Sequence, residues 1–180
     1  MKSSMQMRGI AVAAAMAVLA GCGGGSASVG AGGDSHAKAV RPDHDMVQAI
    51  RQAGESTASS VEVQPLRDPA VDGFLKQATD FEAAHNYNGA VGAVDHALKL
   101  APDAPEILQL KAELLIALHR YADAEALARK SFELGPRLGS LCARNWQTVI
   151  ETRRAAKDEA SAESAKTQLA ACKIPPRQRL

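Results

Sequence analysis

Residues 74–102, FLKQATDFEAAHNYNGAVGAVDHALKLAP, and residues 108–136, LQLKAELLIALHRYADAEALARKSFELGP, lie on each other at an offset of 34 residues. Phe74 falls on Leu108, Ala78 on Ala112, Phe81 on Leu115, Tyr87 on Tyr121, Ala90 on Ala124 and Pro102 on Pro136. Each stretch holds two helix-length apolar segments parted by a polar turn, around Asn86 in the first and Arg120 in the second. Large, small, aromatic and proline positions all recur at the one offset, which is the signature of a repeat architecture. An alanine-rich helix without such a repeat would match itself at many offsets.

The pattern predicts an all-α chain. The first unit has helices over 70–85 and 90–100, and the second over 105–118 and 122–134. Pro102, Pro105 and Pro136 punctuate the units, because proline is tolerated in a first helical turn and not inside a helix. A third unit is degenerate, with helices over 138–154 and 158–171. Strict register puts Asp158 where the earlier units have alanine, so the spacing there has slipped by two or three residues.

These residues resemble the tetratricopeptide (TPR) repeats, closely over 70–136 and loosely over 138–171. The resemblance implies a short TPR-like α-solenoid of two clear helix-turn-helix repeats plus the degenerate third. Small residues are wanted where the two helices of a unit cross, here Ala78 with Ala90 and Ala112 with Ala124. Phe74, Phe81, Leu98, Leu100, Leu108, Leu115, Leu127, Phe132 and Leu134 would fill the layers between units. Gln77 and Lys111 stand where the family prefers leucine, and Trp146 falls on the small-residue position of the third unit.

The first 21 residues stand apart from the fold. Lys2 and Arg8 precede an unbroken apolar run over 10–19, which is a secretory leader too short to span a bilayer comfortably. Leu19-Ala20-Gly21-Cys22 resembles the lipidation site of bacterial lipoproteins, in which the cysteine is acylated and becomes the new N-terminus. Several chains on one residue anchor stably where a single chain does not. Gly23, rather than aspartate, resembles the outer-membrane address of that family. Residues 22–42 are rich in Gly and Ser and read as a disordered tether. Residues 43–69 read as a short amphipathic helix, ended by Gly54, and an extended linker. Residues 173–180 form a basic tail.

In the third hairpin the expected helices bring Cys142 beside Cys172, and an oxidising periplasm would join them. The alternative is two buried thiols. Lys plus Arg number 21 against 20 acidic residues, so no global field draws the chain to nucleic acid. Aromatics make up only 3% of residues, too few for base-stacking platforms. His85 and His119 share a repeat position before the turn, which argues for a role at the helix end. No histidine stands at a metal-ligand spacing, and no nucleophile elbow or phosphate loop is present. The expectation is a chain without enzymatic activity, cofactor, metal or small-molecule substrate.

Arrays of the resembled family bind through the concave face lined by the first helix of each unit. Carried over, that face takes Asp72, Leu75, Thr79 and Glu82 from the first unit and Glu106, Gln109 and Glu113 from the second. Arg144, Gln147 and Glu151 come from the third. Two alternatives stand beside a partner-binding groove: ordinary solvated positions, or a groove occupied by the chain's own segment 61–66. Trp146, with Arg144, Arg153 and Arg154, is a candidate partner patch or a core residue. The functional expectation is a scaffold or adaptor, lipid-anchored to the periplasmic face of the outer membrane, that docks another envelope protein. The alternatives are a pilotin-like assembly factor for a secretin or pilus and a non-catalytic regulator of a cell-wall enzyme.

Overall fold

The computed structural model describes residues 43–57 and 66–173. The leader, Cys22, the tether, residues 61–65 and the tail beyond Lys173 lie outside the described residues. Among those described, every regular element is a helix: α1 Asp43–Glu55, α2 Pro69–Ala83, α3 Tyr87–Leu100, α4 Pro105–Ala117, α5 Tyr121–Leu134, α6 Ser140–Ala155 and α7 Glu159–Ala171. No helix among them is long and apolar enough to cross a membrane. The last six pair as consecutive hairpins, α2 with α3, α4 with α5 and α6 with α7, and each hairpin packs on the next.

The local chemistry repeats as the sequence does. Pro69 and Pro105 occupy the first turns of α2 and α4, where a missing N–H costs nothing. Asp68, Asn86 and Asp158 cap α2, α3 and α7 by accepting from the N–H groups of Ala70, Gly89 and Ser161. Hydrogen bonds from Ser161, backed by Arg153, hold the Asp158 carboxyl below its ordinary pKa. The first helix of each hairpin ends in the same way. His85, His119 and Lys157 adopt left-handed backbone, with φ of 56°, 60° and 60°. The next N–H in each case reaches back to a carbonyl of the last turn: Asn86 to Phe81, Arg120 to Leu115 and Asp158 to Arg153. These are Schellman closures built without glycine. In the first two units the histidine Nδ1 also meets a tyrosine hydroxyl two residues on, His85 with Tyr87 at 3.3 Å and His119 with Tyr121 at 3.2 Å.

The third unit slips by four residues, not two or three. Its helix cap and its left-handed residue both fall 38 positions after those of the second unit. Ala162 thereby takes the crossing position of Ala90 and Ala124, and all three are fully buried. Four residues are about one helical turn, so α6 lengthens without rotating its core face. Counted back from the left-handed residue, Ala78 and Ala112 correspond to Ile150, while Trp146, one turn earlier, packs edge-on against Phe132 of α5. The hairpin is tied by a Cys142–Cys172 disulfide and by the Gly139 N–H donating to the Cys172 carbonyl at 2.7 Å. Gly139, at φ 85°, makes the turn into α6.

Two expectations about the core change. Leu100 and Leu134 end their helices 53% and 46% exposed instead of filling a layer between units. Gln77 is exposed, and Lys111 pairs with Asp95 of α3 at 2.6 Å, so neither position needs leucine.

Candidate functional site

The face of the array lined by α4 and α6 is occupied, and its occupant is α1. Met46, Val47, Ile50 and Gly54 are buried along one side of α1, at the spacing of successive helical turns. Met46, Val47 and Ile50 join a cluster with Ala112, Leu115 and Ile116 of α4. Gly54 does not end the helix, as the sequence suggested. It lies inside α1, where a Cβ would stand 2.7–2.9 Å from the Arg144 side chain and the Ser140 hydroxyl of α6. Glycine is there because the two helices approach too closely for any larger residue.

At the centre of this interface sits the Glu113 carboxylate, with no solvent exposure. Its Oε2 accepts from Arg51 Nε of α1 at 3.0 Å. Its Oε1 accepts from Arg144 Nε at 2.8 Å and from Gln109 Nε2 at 3.0 Å. Arg51 also reaches Glu82 of α2 at 2.7 Å, and Gln109 donates on to Thr148 Oγ1 at 2.9 Å. Two guanidinium and two carboxylate groups make the network neutral, which is what makes such burial tolerable. Burial acts to lower the Arg51 pKa, and Glu113 and Glu82 outweigh it, so the guanidinium stands above its ordinary value.

The structure therefore divides the ten residues carried over for the groove. Glu113 and Arg144 meet α1 at Arg51 and Gly54, Gln109 braces Glu113 from behind, and Gln109 and Glu113 are fully buried. Glu151 is buried, accepts from Gln147 Nε2 at 2.7 Å and lies 3.7 Å from Arg154, so these too are held within the chain. Glu106 lies in the first turn of α4. Asp72 and Thr79 remain exposed on α2, with Leu75 half-buried beside them. Of the ten, only Thr79 and Glu82 line an open cleft, of about 610 Å³, whose other wall is Val47, Arg51 and Gln52 of α1. Arg51 is the residue that sequence reasoning missed. Its signal was present, since it stands one turn after Val47 and one residue after Ile50. Segment 61–65, weighed as a groove occupant, lies outside the described residues, and Leu66 is fully exposed.

A second ion network joins α5 to α6. Glu125 accepts from Arg153 Nη2 at 2.6 Å, Arg129 Nε at 2.8 Å and the Thr152 hydroxyl at 3.0 Å. Burial works to raise the Glu125 pKa, and these hydrogen bonds overcome it and hold the carboxyl below its ordinary value. The same contact raises Arg153. Trp146 meets Arg129 here, 5.7 Å from its ring centroid, rather than the arginines expected from sequence. His96 stacks on Phe74, with centroids 5.2 Å apart. Among the described residues, no group of three or more His, Cys, Asp or Glu could hold a metal ion.

The site thus belongs to a class: a TPR-like array of three helical hairpins with a further helix of its own chain seated on the first helices of the second and third. No protein-family model matches the sequence, and no curated protein matches it. Among solved structures, it is similar to the globular C-terminal domain of P. aeruginosa LpoP, at 25% identity and a TM-score of 0.55. The match covers 58% of this chain and 99% of that one. The likeness carries the all-helical, TPR-like fold.

Proposed function

We propose that the chain is a lipid-anchored docking module of the bacterial cell envelope, acting through protein contacts and not through catalysis. The observation that carries this reading is the cleft between α1 and α2. There the hairpin array keeps an accessible, mixed-polar wall, while the centre of the expected groove, at Glu113 and Arg144, is closed by α1. A cleft walled by Thr79, Glu82, Arg51 and Gln52 suits an extended peptide segment, whose backbone needs both donors and acceptors. The lipobox-like Leu19-Ala20-Gly21-Cys22 supports the anchor, and Gly23 after it supports the outer-membrane placement. The narrower reading is a non-catalytic regulator of a cell-wall enzyme, and beside it stands a pilotin-like assembly factor for a secretin or pilus.

The test is crosslinking and capture from detergent-solubilised envelopes with the full-length, acylated chain. Recovery of a cell-wall synthase or hydrolase supports the narrower reading, and recovery of a secretin transfers support to the pilotin-like one. Thr79→Trp, an exposed change that blocks the cleft, should abolish capture without altering the melting temperature. Unchanged capture would remove the cleft from consideration. Cys22→Ala should move the protein from the membrane to the soluble periplasmic fraction.

A further inference from the structure

A second cavity, of about 290 Å³, opens between α5 and α6 and shares no lining residue with the α1–α2 cleft. Its walls hold polar groups that the fold leaves unused. Asn145 is 1% exposed, and neither its carboxamide oxygen nor its nitrogen has a hydrogen-bond partner. The Trp146 indole N–H is also buried without an acceptor. Buried polar side chains are nearly always paired, and each orphan costs stability. Three unmet groups on two adjacent residues of one cavity wall therefore point to something the cavity receives.

The surrounding groups state what that is. Phe132 and Trp146 pack edge to face, with centroids 4.9 Å apart. The Arg137 guanidinium lies over Phe132 at 4.3 Å, and Arg129 lies over Trp146 at 5.7 Å. Arg129 is engaged by Glu125, whereas no carboxylate pairs with Arg137 among the described residues. Glu133, exposed on the rim, sets the charge limit, because it disfavours a multiply charged anion. The exposed Arg137 guanidinium reaches only the Glu133 carbonyl, at 3.4 Å, and the buried indole N–H reaches no acceptor; a single carboxylate serves both. Asn145 offers both a donor NH2 and an acceptor oxygen, the complement of a peptide group, and a simple anion cannot use its oxygen. The volume falls just below the range of small-molecule sites, which is room for one side chain and its peptide unit. Leu134 and Leu138, each 46% exposed, flank Glu133 and Arg137 in the sequence and offer apolar contact.

From this geometry we infer a docking site for an acidic peptide segment, in which one Asp or Glu side chain enters between α5 and α6, its carboxylate on Arg137 and Trp146 and its backbone amide on Asn145. The neighbours of that acidic residue are apolar. The inference is independent of the lipid anchor and of the α1–α2 cleft, so the two docking readings fail separately.

Trp146 is the chain's single tryptophan and reports the site directly. The experiment titrates the full mature chain with an end-blocked hexapeptide carrying glutamate among leucines and follows Trp146 emission. The expected result is a saturable change with the glutamate peptide and at least about tenfold weaker binding of its glutamine analogue, since hydrogen bonds to a charged group are worth that much. Arg137→Gln should lose affinity by a similar factor. Asn145→Leu should raise the melting temperature, because it removes an unpaired amide, and should weaken peptide binding. Three results would overturn the site: no response to the glutamate peptide, an equal response to acetate alone, or full binding by folded Asn145→Leu protein.

Discussion

Glu113 shows how one side chain can be misread from its position in a repeat. Its register places it on the face where a partner would bind, yet its carboxylate is sealed under α1 and shared by Arg51 and Arg144. Removing one member of a buried ion network strands the others, at a cost of about 3–5 kcal/mol. Glu113→Ala should therefore unfold at markedly lower urea concentration, and a loss of partner capture by any Glu113 variant would reflect lost stability. Lys157 makes an opposite prediction. It takes a left-handed conformation that side chains with a Cβ adopt at a cost of about 1–2 kcal/mol. Glycine gives back part of that through the entropy of the unfolded chain. Lys157→Gly should thus stabilise by about 0.5–1 kcal/mol in the same urea assay.

Among the elements, the six hairpin helices were legible in the sequence because their determinants are local. Pro69 and Pro105 start helices, Asn86 and Asp158 cap them, and the alanines mark crossings. Helix α1 was also legible as a helix, but its seat was not. Met46, Val47 and Ile50 announce an apolar face and say nothing about which surface covers it. Gly54, a stop signal by composition, proved to be a close-contact residue, a distinction only the neighbouring α6 can make. The slip in the third unit was visible, but its size was not, because Ala162 looks like any other alanine until its burial is known. The Arg51–Glu113 pair was hidden for the same reason, since 62 positions separate its members. An element-level prediction follows from the contact at Gly54. Gly54→Val brings atoms within 2.7–2.9 Å of Arg144 and Ser140 and should lift the end of α1. Backbone amides of α1 should then exchange with deuterium much faster, while those of α2 and α3 stay protected.

At the level of the whole molecule, the carboxylates decide the response to acid. The folded pKa of Glu125 lies below its ordinary value, and an unfolded glutamate titrates near about 4.3. Its contribution to stability is complete above that pH and is lost as pH falls through the depressed folded value. Asp158 acts in the same direction. The melting temperature should hold from neutrality to about pH 5 and fall below it. Glu125→Gln should melt lower at neutral pH and show a shallower acid limb. A wild-type protein with no acid limb down to pH 3 would contradict the assignment.

Helix α1 precedes every described hairpin, packs on the second and third, and is tied to the first by the Arg51–Glu82 pair. Any pull arriving from the N-terminal side, such as tension between a membrane and a bound partner, must load this helix before the rest of the array feels it. The Ile50 seat and the Arg51–Glu113 clasp would then act as a mechanical fuse: the first contacts to rupture under force, and the ones whose rupture bares the face they conceal.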